Sequence, residues 1–553
     1  MFTLRTWQAA SLLFGLAGAS VPWTITSVTC EDSGESSDQF KCSLTEKLLP
    51  GADAVAHYQD SLEHIGWSKL HVRGRPRSET PKDKLRLAFA AGFVEGAVTA
   101  TRTYQHKLSY YNATFKAGDD ATFEEAAAFL TQNDQFVRAS MARNISDKYW
   151  SEMAIVWAQL DGLVAGNSAV CGQSCVTLLD FLFLQAEEDL SNIIHKPYSE
   201  EEWTIERASE FTRRSTHCSS IIRLAPGNSD LYVGHNTWTG YYSMLRLLKE
   251  YDLALGGKAD KVVFSGYYGQ LYSGDDFYTL SSGLTVQETT NSLYNKTTST
   301  LIQPECVLTW ARTLVANRHA ADGPTWVQWF SPFNSGTINN QWMIVATSKF
   351  RPGQDLPNGM LTVLEQMPGL IVWEDVSEVL RNQGFWVSYN SPFFPAIREA
   401  SGARYMEQQY GDAYSYTKNP RAKIFARDIH GATDFAKAQH LLRYNDWQHD
   451  ELSARGYEGP TEPRAPENAI AARYDLHPWP NMTKAFGNTD GKMCAAADCV
   501  ALRFFAVSGP TADEQPPFSW EGRWASSPHY GQPQTFNFSW VEFSALSSQT
   551  IVV

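Results

Sequence analysis

Cys218-Ser219-Ser220-Ile221-Ile222-Arg223-Leu224 reads as a strand, and Ala225-Pro226-Gly227-Asn228-Ser229-Asp230 reads as a turn. Leu231-Tyr232-Val233-Gly234-His235 reads as the returning strand, so a cysteine heads a β-hairpin. A helix is predicted next, over Tyr242 to Tyr251. Further strands are predicted at Lys261 to Gly266, Phe277 to Ser281, Gln341 to Thr347 and Gly369 to Trp373. This half is strand-rich with interspersed helices, which predicts an α+β fold built in layers. The chain before it reads differently. The stretch through Asp38 is polar and loop-like, and Pro76 to Lys84 leads into a helix. There Leu85, Phe89, Phe93 and Ala97 recur every four residues, with Ala88, Gly92 and Gly96 on an adjacent stripe. Small residues on such a stripe let a second helix approach closely. Phe123 to Met141 and Trp150 to Val164 also read as helices, so the segment before about residue 200 is predicted to be mainly α.

The chain has 553 residues, 43% of them hydrophobic and 19% charged, which excludes a disordered polypeptide. Its net charge of −14 argues against a nucleic-acid binder, which needs a basic footprint. The negative balance suits an acidic compartment. The 18 Trp, 24 Tyr and 29 Phe fit either a large core or an aromatic ligand cleft. Arg5, the apolar run Ala9 to Ala17 and the small residues Ala17-Gly18-Ala19 read as a signal peptide over 1–19, with the mature chain starting at Ser20. No later run is long and apolar enough for a transmembrane segment; Leu87 to Ala100 is interrupted by Glu95. Five glycosylation sequons, at Asn112, Asn144, Asn295, Asn481 and Asn537, agree with export. Of the eight cysteines, Cys171/Cys175 and Cys494/Cys499 are expected to form disulfides, and Cys30/Cys42 is a third close pair. Cys218 and Cys306 have no near partner; they could pair with each other, or one could be a working thiol. No histidine pair stands at zinc-finger spacing, and neither metal nor organic cofactor is expected.

The sequence lacks a P-loop, a G-x-S-x-G elbow, an H-E-x-x-H motif and a dinucleotide fingerprint. The cysteine heading the hairpin remains. An enzyme that cuts its own chain before such a residue frees an α-amine with a pKa near 8, able to take the thiol proton without a separate histidine. A buried or disulfide-bonded cysteine is the plainer alternative.

A series of ordered strings bears on the choice. Ala91-Gly92-Phe93-Val94-Glu95-Gly96, Cys218-Ser219 and Gly234-His235-Asn236-Thr237-Trp238 come first. Asp275-Asp276-Phe277-Tyr278, Glu288-Thr289-Thr290, Asn334-Ser335-Gly336-Thr337 and Met367-Pro368-Gly369-Leu370 follow. Trp386-Val387-Ser388-Tyr389-Asn390, Tyr410-Gly411-Asp412, Pro420-Arg421-Ala422 and Arg443-Tyr444-Asn445-Asp446 complete the series. From Ala90 to Asp450 the chain resembles the phospholipase B-like family of lysosomal proteins, related to the lamina ancestor protein.

That resemblance implies an N-terminal-nucleophile hydrolase with an αββα sandwich, a mainly helical N-terminal segment and autoproteolytic maturation. It implies fragments 20–217 and 218–553, cut at His217–Cys218. By position, Cys218 matches the nucleophile, and His235 and Trp238 should face the cleft, Trp238 against substrate. Thr290 matches a site threonine, with Thr289 its adjacent competitor, and Asn390 matches an asparagine that stabilises an oxyanion. Arg421 is the candidate fixed positive charge, with Arg427 as runner-up. Each also has a structural alternative: a turn for His235, the core for Trp238, backbone bonding for Asn390 and an ion pair for Arg421. The implied reaction is removal of fatty acyl chains from phospholipids in the lysosome or after secretion. The rivals are an N-acyl amidase acting on lipid amides and a non-catalytic lumenal glycoprotein that binds lipid or glycan. The expected partners are a lipid substrate and the chain's own N-terminal fragment, and a homodimer is open to the mature chain.

Overall fold

A computed structural model describes residues 21–32, 40–115, 120–144, 146–215, 218–454 and 464–546. The expected signal peptide over 1–19 and the expected cut at His217 lie outside them. Strands β1 (Thr24–Asp32), β2 (Phe40–Thr45), β3 (Ala54–Gln59) and β4 (Ser68–Gly74) come first. After a helical stretch come β5 (Cys218–Leu224), β6 (Leu231–Gly240), β7 (Arg246–Leu253), β8 (Lys261–Tyr267), β9 (Phe277–Leu280) and β10 (Thr285–Thr290). Then follow β11 (Asn340–Val345), β12 (Leu361–Met367), β13 (Leu370–Asp375), β14 (Phe385–Ser388), β15 (Phe486–Asn488), β16 (Asp490–Ala495) and β17 (Arg503–Ser508). A small ribbon of β18 (Phe518–Ser519) and β19 (Thr535–Phe536) precedes β20 (Val541–Ser544).

Eleven strands form one sheet in the order β13-β12-β11-β10-β9-β8-β7-β4-β3-β1-β2. A second sheet runs β14-β5-β6-β16-β17-β20, with β15 also paired to β6. The fold is mixed α and β. One apolar cluster joins the two sheets, bringing Ile222, Val233 and Phe504 against Leu248, Val263 and Val363. The far side of the large sheet packs Leu70, Leu247 and Phe264 against helix residues Leu87, Val94 and Trp326. The far side of the second sheet packs Ile221 and Met493 against Phe425 and Leu442 from helices Pro420–Asp428 and Phe435–Arg443.

Local chemistry sets the helix starts. Thr80 caps Pro81–Val98 by accepting from the Asp83 N–H, with proline at the first position. Asp147 caps Lys148–Val170 through the Tyr149 and Trp150 N–H groups. These two helices cross where the glycine stripe was read. A Cβ at Gly92 or Gly96 would overlap the carbonyl oxygens of Gln159 and Leu163. Gly162 and Gly166 answer from the other helix, facing the Phe89 and Phe93 carbonyls.

Three expectations are corrected. Residues 24–32 are strand β1 rather than loop, because Val28 and Cys30 bury one face against the helix Pro81–Val98. The chain before residue 200 carries four strands as well as its helices, and β4 pairs in parallel with β7. The segment Tyr242 to Tyr251 is a short 3-10 turn followed by β7, not a helix. Its charged residues are buried rather than solvated. Arg246 meets Asp275 at 2.6 Å, Lys249 meets Glu95 at 2.6 Å, and Glu250 meets His71. Tertiary partners override the local helix preference there.

Disulfides join Cys30–Cys42, Cys171–Cys175 and Cys494–Cys499, while Cys218 and Cys306 are free and buried. Asn112, Asn144, Asn481 and Asn537 are exposed; Asn295 is half-buried and caps a short helix through the Thr298 N–H. No helix among the described residues is long and apolar enough to cross a membrane. The helix crossing carries a prediction. Gly162→Ala should destabilise the protein by about 1–3 kcal/mol, the cost of overpacking. Gly431→Ala, where a Cβ meets nothing within 4 Å, should not. Urea unfolding of the two variants decides it, and equal stability would refute the close-approach account.

Candidate active site

β5 and β6 pair antiparallel with Cys218 opposite Thr237 and Ser220 opposite His235. Alternation places Cys218 on the same face as Ile222 and Leu224, toward the layer between the sheets. The Ser219 N–H donates to Asn236 Oδ1 at 2.9 Å. The Asn236 amide in turn donates to the carbonyls of Leu442 and Ile470, at 2.6 and 2.9 Å. The start of β5 is thereby fixed to the helical layer outside it.

The Cys218 thiol is 2% exposed and donates toward Glu288 Oε1 at 3.6 Å. His235 completes a trio whose donor atoms lie within 4.8 Å of one another. Neither ring nitrogen makes a hydrogen bond of ordinary geometry, although the Glu288 backbone runs beside the ring. Thiolate, imidazole and carboxylate are zinc-type donors, so this trio is also where the described residues could hold a metal.

Burial dominates the electrostatics. It raises the Cys218 thiol well above its ordinary value, with Glu288 adding to the shift and Lys492 opposing it. Burial raises Glu288 to about 8, against the hydrogen bonds from Cys218 and Thr290. Burial and Lys492 push His235 well below its usual range. In the continuous chain the trio therefore stays uncharged at acidic pH.

The remaining candidates converge around it. Thr290 Oγ1 donates to Glu288 Oε2 at 3.4 Å. Thr289 instead exchanges a 2.6 Å bond with Ser388 Oγ and accepts from the Asn390 N–H at 3.4 Å. Asn390 sits at φ 62°, a left-handed conformation that asparagine tolerates. One of its amide hydrogens goes to the Thr290 carbonyl at 2.7 Å. Arg421 bridges the site, donating to the Cys218 carbonyl and to Asn390 Oδ1, each at 2.8 Å. Its guanidinium lies 4.3 Å from the centre of the Trp238 ring. Arg427 stands apart, paired with Asp428 and Asp450. Trp238, Asn390 and Arg421 line a cleft of about 120 Å³, and Ser209 and Thr212 line its other side. Those two belong to helix Ile205–Ser215, the last described element before β5.

Two features were missed in the sequence. Glu288 stands in the same short string as Thr290, but nothing in its spacing tells a buried carboxyl from a solvated strand residue. The second is a buried charge network behind the trio. Lys492 Nζ reaches Thr237 Oγ1 and Asp275 at 2.6 Å and Asp490 at 2.8 Å. Arg246 meets Asp275 and Asp490, each at 2.6 Å. These residues come from distant parts of the chain, so only the fold brings them together.

The raised carboxyls fix a pH dependence. Glu288 goes from an ordinary 4.5 to about 8, and Glu365 from 4.5 to about 7. Below pH 4.5 folded and unfolded chains both hold these protons, and stability is full. As pH rises the unfolded chain ionises first, so stability falls until the folded carboxyl also titrates. In Glu288→Gln the fall between pH 4.5 and 8 should be shallower than in wild type. Urea unfolding across that range tests it, and parallel profiles would refute the assignment.

Comparison with known proteins places the chain. The Phospholipase B family pattern matches residues 54–543. The phospholipase B-like 2 protein of Mus musculus is 38% identical over 522 residues, covering 90% of this chain and 86% of that protein. The Homo sapiens phospholipase B-like 2 protein is 37% identical over 526 residues, covering 90% and 86%. Phospholipase B-like protein C of Dictyostelium discoideum is 34% identical over 514 residues, covering 89% and 87%. A family match over residues 54–543, which takes in the hairpin, the cleft and the buried charge network, together with relatives covering about nine-tenths of the chain, means that the protein belongs to the phospholipase B family.

Proposed function

We propose that the chain is a precursor of a lumenal hydrolase that removes fatty acyl chains from phospholipids through Cys218. One observation carries this reading: Cys218 heads a strand beside Glu288 and His235, and the helix leading into it walls the cleft lined by Asn390 and Arg421. Helices outside two face-packed sheets support an N-terminal-nucleophile αββα arrangement. The names of the relatives support the ester substrate. Three disulfides support passage through an oxidising compartment, with lysosomal or secreted residence after removal of residues 1–19 and glycosylation at the sequons.

Maturation is a thiol attack on the peptide carbonyl of residue 217. The bond to the Cys218 nitrogen breaks, the α-amine is released, and water hydrolyses the thioester. In turnover the amine takes the Sγ proton, and the thiolate attacks the lipid ester carbonyl. The leaving alcohol recovers the proton, and a water molecule releases the fatty acid. Asn390 has a second amide hydrogen for the developing oxyanion, while Arg421 holds its Oδ1 in place. Trp238 borders the substrate, and Thr290 orients Glu288.

The fragments 20–217 and 218–553 would share one sheet through β4 and β7 and a buried Glu95–Lys249 pair. No disulfide crosses the cut, since Cys30–Cys42 and Cys171–Cys175 precede it and Cys494–Cys499 follows it. The two fragments should copurify under native conditions yet separate on a non-reducing denaturing gel, the larger beginning at Cys218. A fully active, uncut chain would sink the mechanism.

Cys218→Ala should abolish both cleavage and fatty-acid release. Cys218→Ser should mature partially and hydrolyse weakly, since a hydroxyl is the poorer nucleophile. Asn390→Ala should mature and slow hydrolysis roughly 100-fold. Fatty-acid release from phospholipid vesicles at acidic pH measures all three. Wild-type rates in folded Cys218→Ala would place the chemistry elsewhere.

A further inference from the structure

A second cavity, of about 240 Å³, lies across the partition made by Trp238, Tyr474 and Phe486. Tyr474 borders both cavities. Thr239 of β6 lines the second one, two residues beyond Thr237, the cross-strand partner of Cys218. Two strand residues span roughly 7 Å, so the cavity adjoins the acyl cleft.

Its walls are aromatic and its floor is acidic. Tyr110 and Tyr242 stand with ring centroids 6.2 Å apart and planes tilted by 39°. Tyr110 is 2% exposed, and its hydroxyl makes no hydrogen bond among the described residues. Glu187 and Glu188 line the same cavity. Glu187 is engaged, accepting from Gln270 Nε2 at 3.0 Å and lying 3.4 Å from His106. Glu188 has neither hydrogen bond nor ion pair among the described residues; burial and the neighbouring acids Glu187 and Glu288 hold its carboxyl well above the usual range. Among the described residues the Glu188 carboxyl therefore has no cationic partner. A carboxylate beside aromatic rings suits an organic ammonium, which gains from both ion pairing and the ring quadrupoles. Lys484 also lines the cavity and suits an anion attached to that ammonium.

We propose that this cavity binds the ammonium group of a zwitterionic, phosphate-bearing headgroup. Glu188 and the Tyr110 and Tyr242 rings take the ammonium, and Lys484 takes the phosphate. As a substrate subsite it rests on the acyl-hydrolase reading, whereas headgroup binding itself does not require Cys218.

The test is calorimetric titration of full-chain Cys218→Ala protein with phosphocholine, choline and inorganic phosphate. Phosphocholine should bind saturably, choline more weakly and inorganic phosphate most weakly. Adding Glu188→Gln should weaken phosphocholine at least 10-fold, and Tyr242→Leu should weaken it without altering the charge. Lys484→Gln should weaken phosphocholine while leaving choline unchanged. Melting curves identify any variant that has unfolded. The proposal is overturned by absence of saturable phosphocholine binding, by unchanged affinity in folded Glu188→Gln, or by phosphate matching phosphocholine while choline fails to bind. In Cys218-containing enzyme, Glu188→Gln should raise KM for a phosphocholine lipid and leave that for an uncharged diacylglycerol unchanged. If no lipid is hydrolysed but phosphocholine still binds, the acyl-hydrolase reading falls and the headgroup site stands.

Discussion

Two cations and two anions, all fully buried, tie the two sheets together. Arg246 belongs to the large sheet, Asp490 and Lys492 belong to the second, and Asp275 precedes β9. Such a knot is costly to desolvate and holds only because its members neutralise one another. Removing one would leave a buried charge uncompensated. Lys492 also bonds to Thr237, the residue opposite Cys218. The network therefore sets the height of the hairpin above the large sheet, and so the approach of Glu288 to the thiol. The Trp67 and Tyr267 rings, each within 4.6 Å of the Arg246 guanidinium, close it off from water.

Under the proposed maturation, the same low dielectric would keep the continuous chain quiescent. Cys218 keeps its proton, Glu288 keeps its own through most of the acidic range, and His235 is left neutral. No base within the trio is strong enough to ionise the thiol at rest. Helix Ile205–Ser215 lines the same cleft that a substrate would need. In the proposed precursor, geometry and electrostatics would thus act in one direction, and a single peptide cut would relieve both.

The hairpin was legible because a Pro-Gly-Asn turn between two apolar runs has few other readings. The glycine stripe at Gly92 and Gly96 was legible too, although its partner at Gly162 and Gly166 was not. The stretch Tyr242 to Tyr251 misled because Arg246, Lys249 and Glu250 resemble the polar face of a helix. Sequence carries no mark that distinguishes a solvated charge from one whose partner lies 150 residues away, as Glu95 does from Lys249. Glu288 escaped notice for the same reason. The strand at 24–32 escaped because its polar residues conceal an alternating buried face. Arg421 and Asn390 could be proposed by position, but their mutual bond could be found only in the fold.

An α-amine in water has a pKa near 8 and would be fully protonated in an acidic compartment, useless as a base. In the proposed mature enzyme, the amine of Cys218 would not be in water. It would begin a strand beside His235, where burial and Lys492 already disfavour a cation strongly enough to hold an imidazole neutral. Arg421, 2.8 Å from the Cys218 carbonyl, adds a second positive charge nearby. The forces that keep the precursor thiol protonated would therefore pull the new amine downward, toward the pH at which it must accept a proton. In this proposal, the burial that would silence the nucleophile before the cut is the same burial that would arm its base afterward.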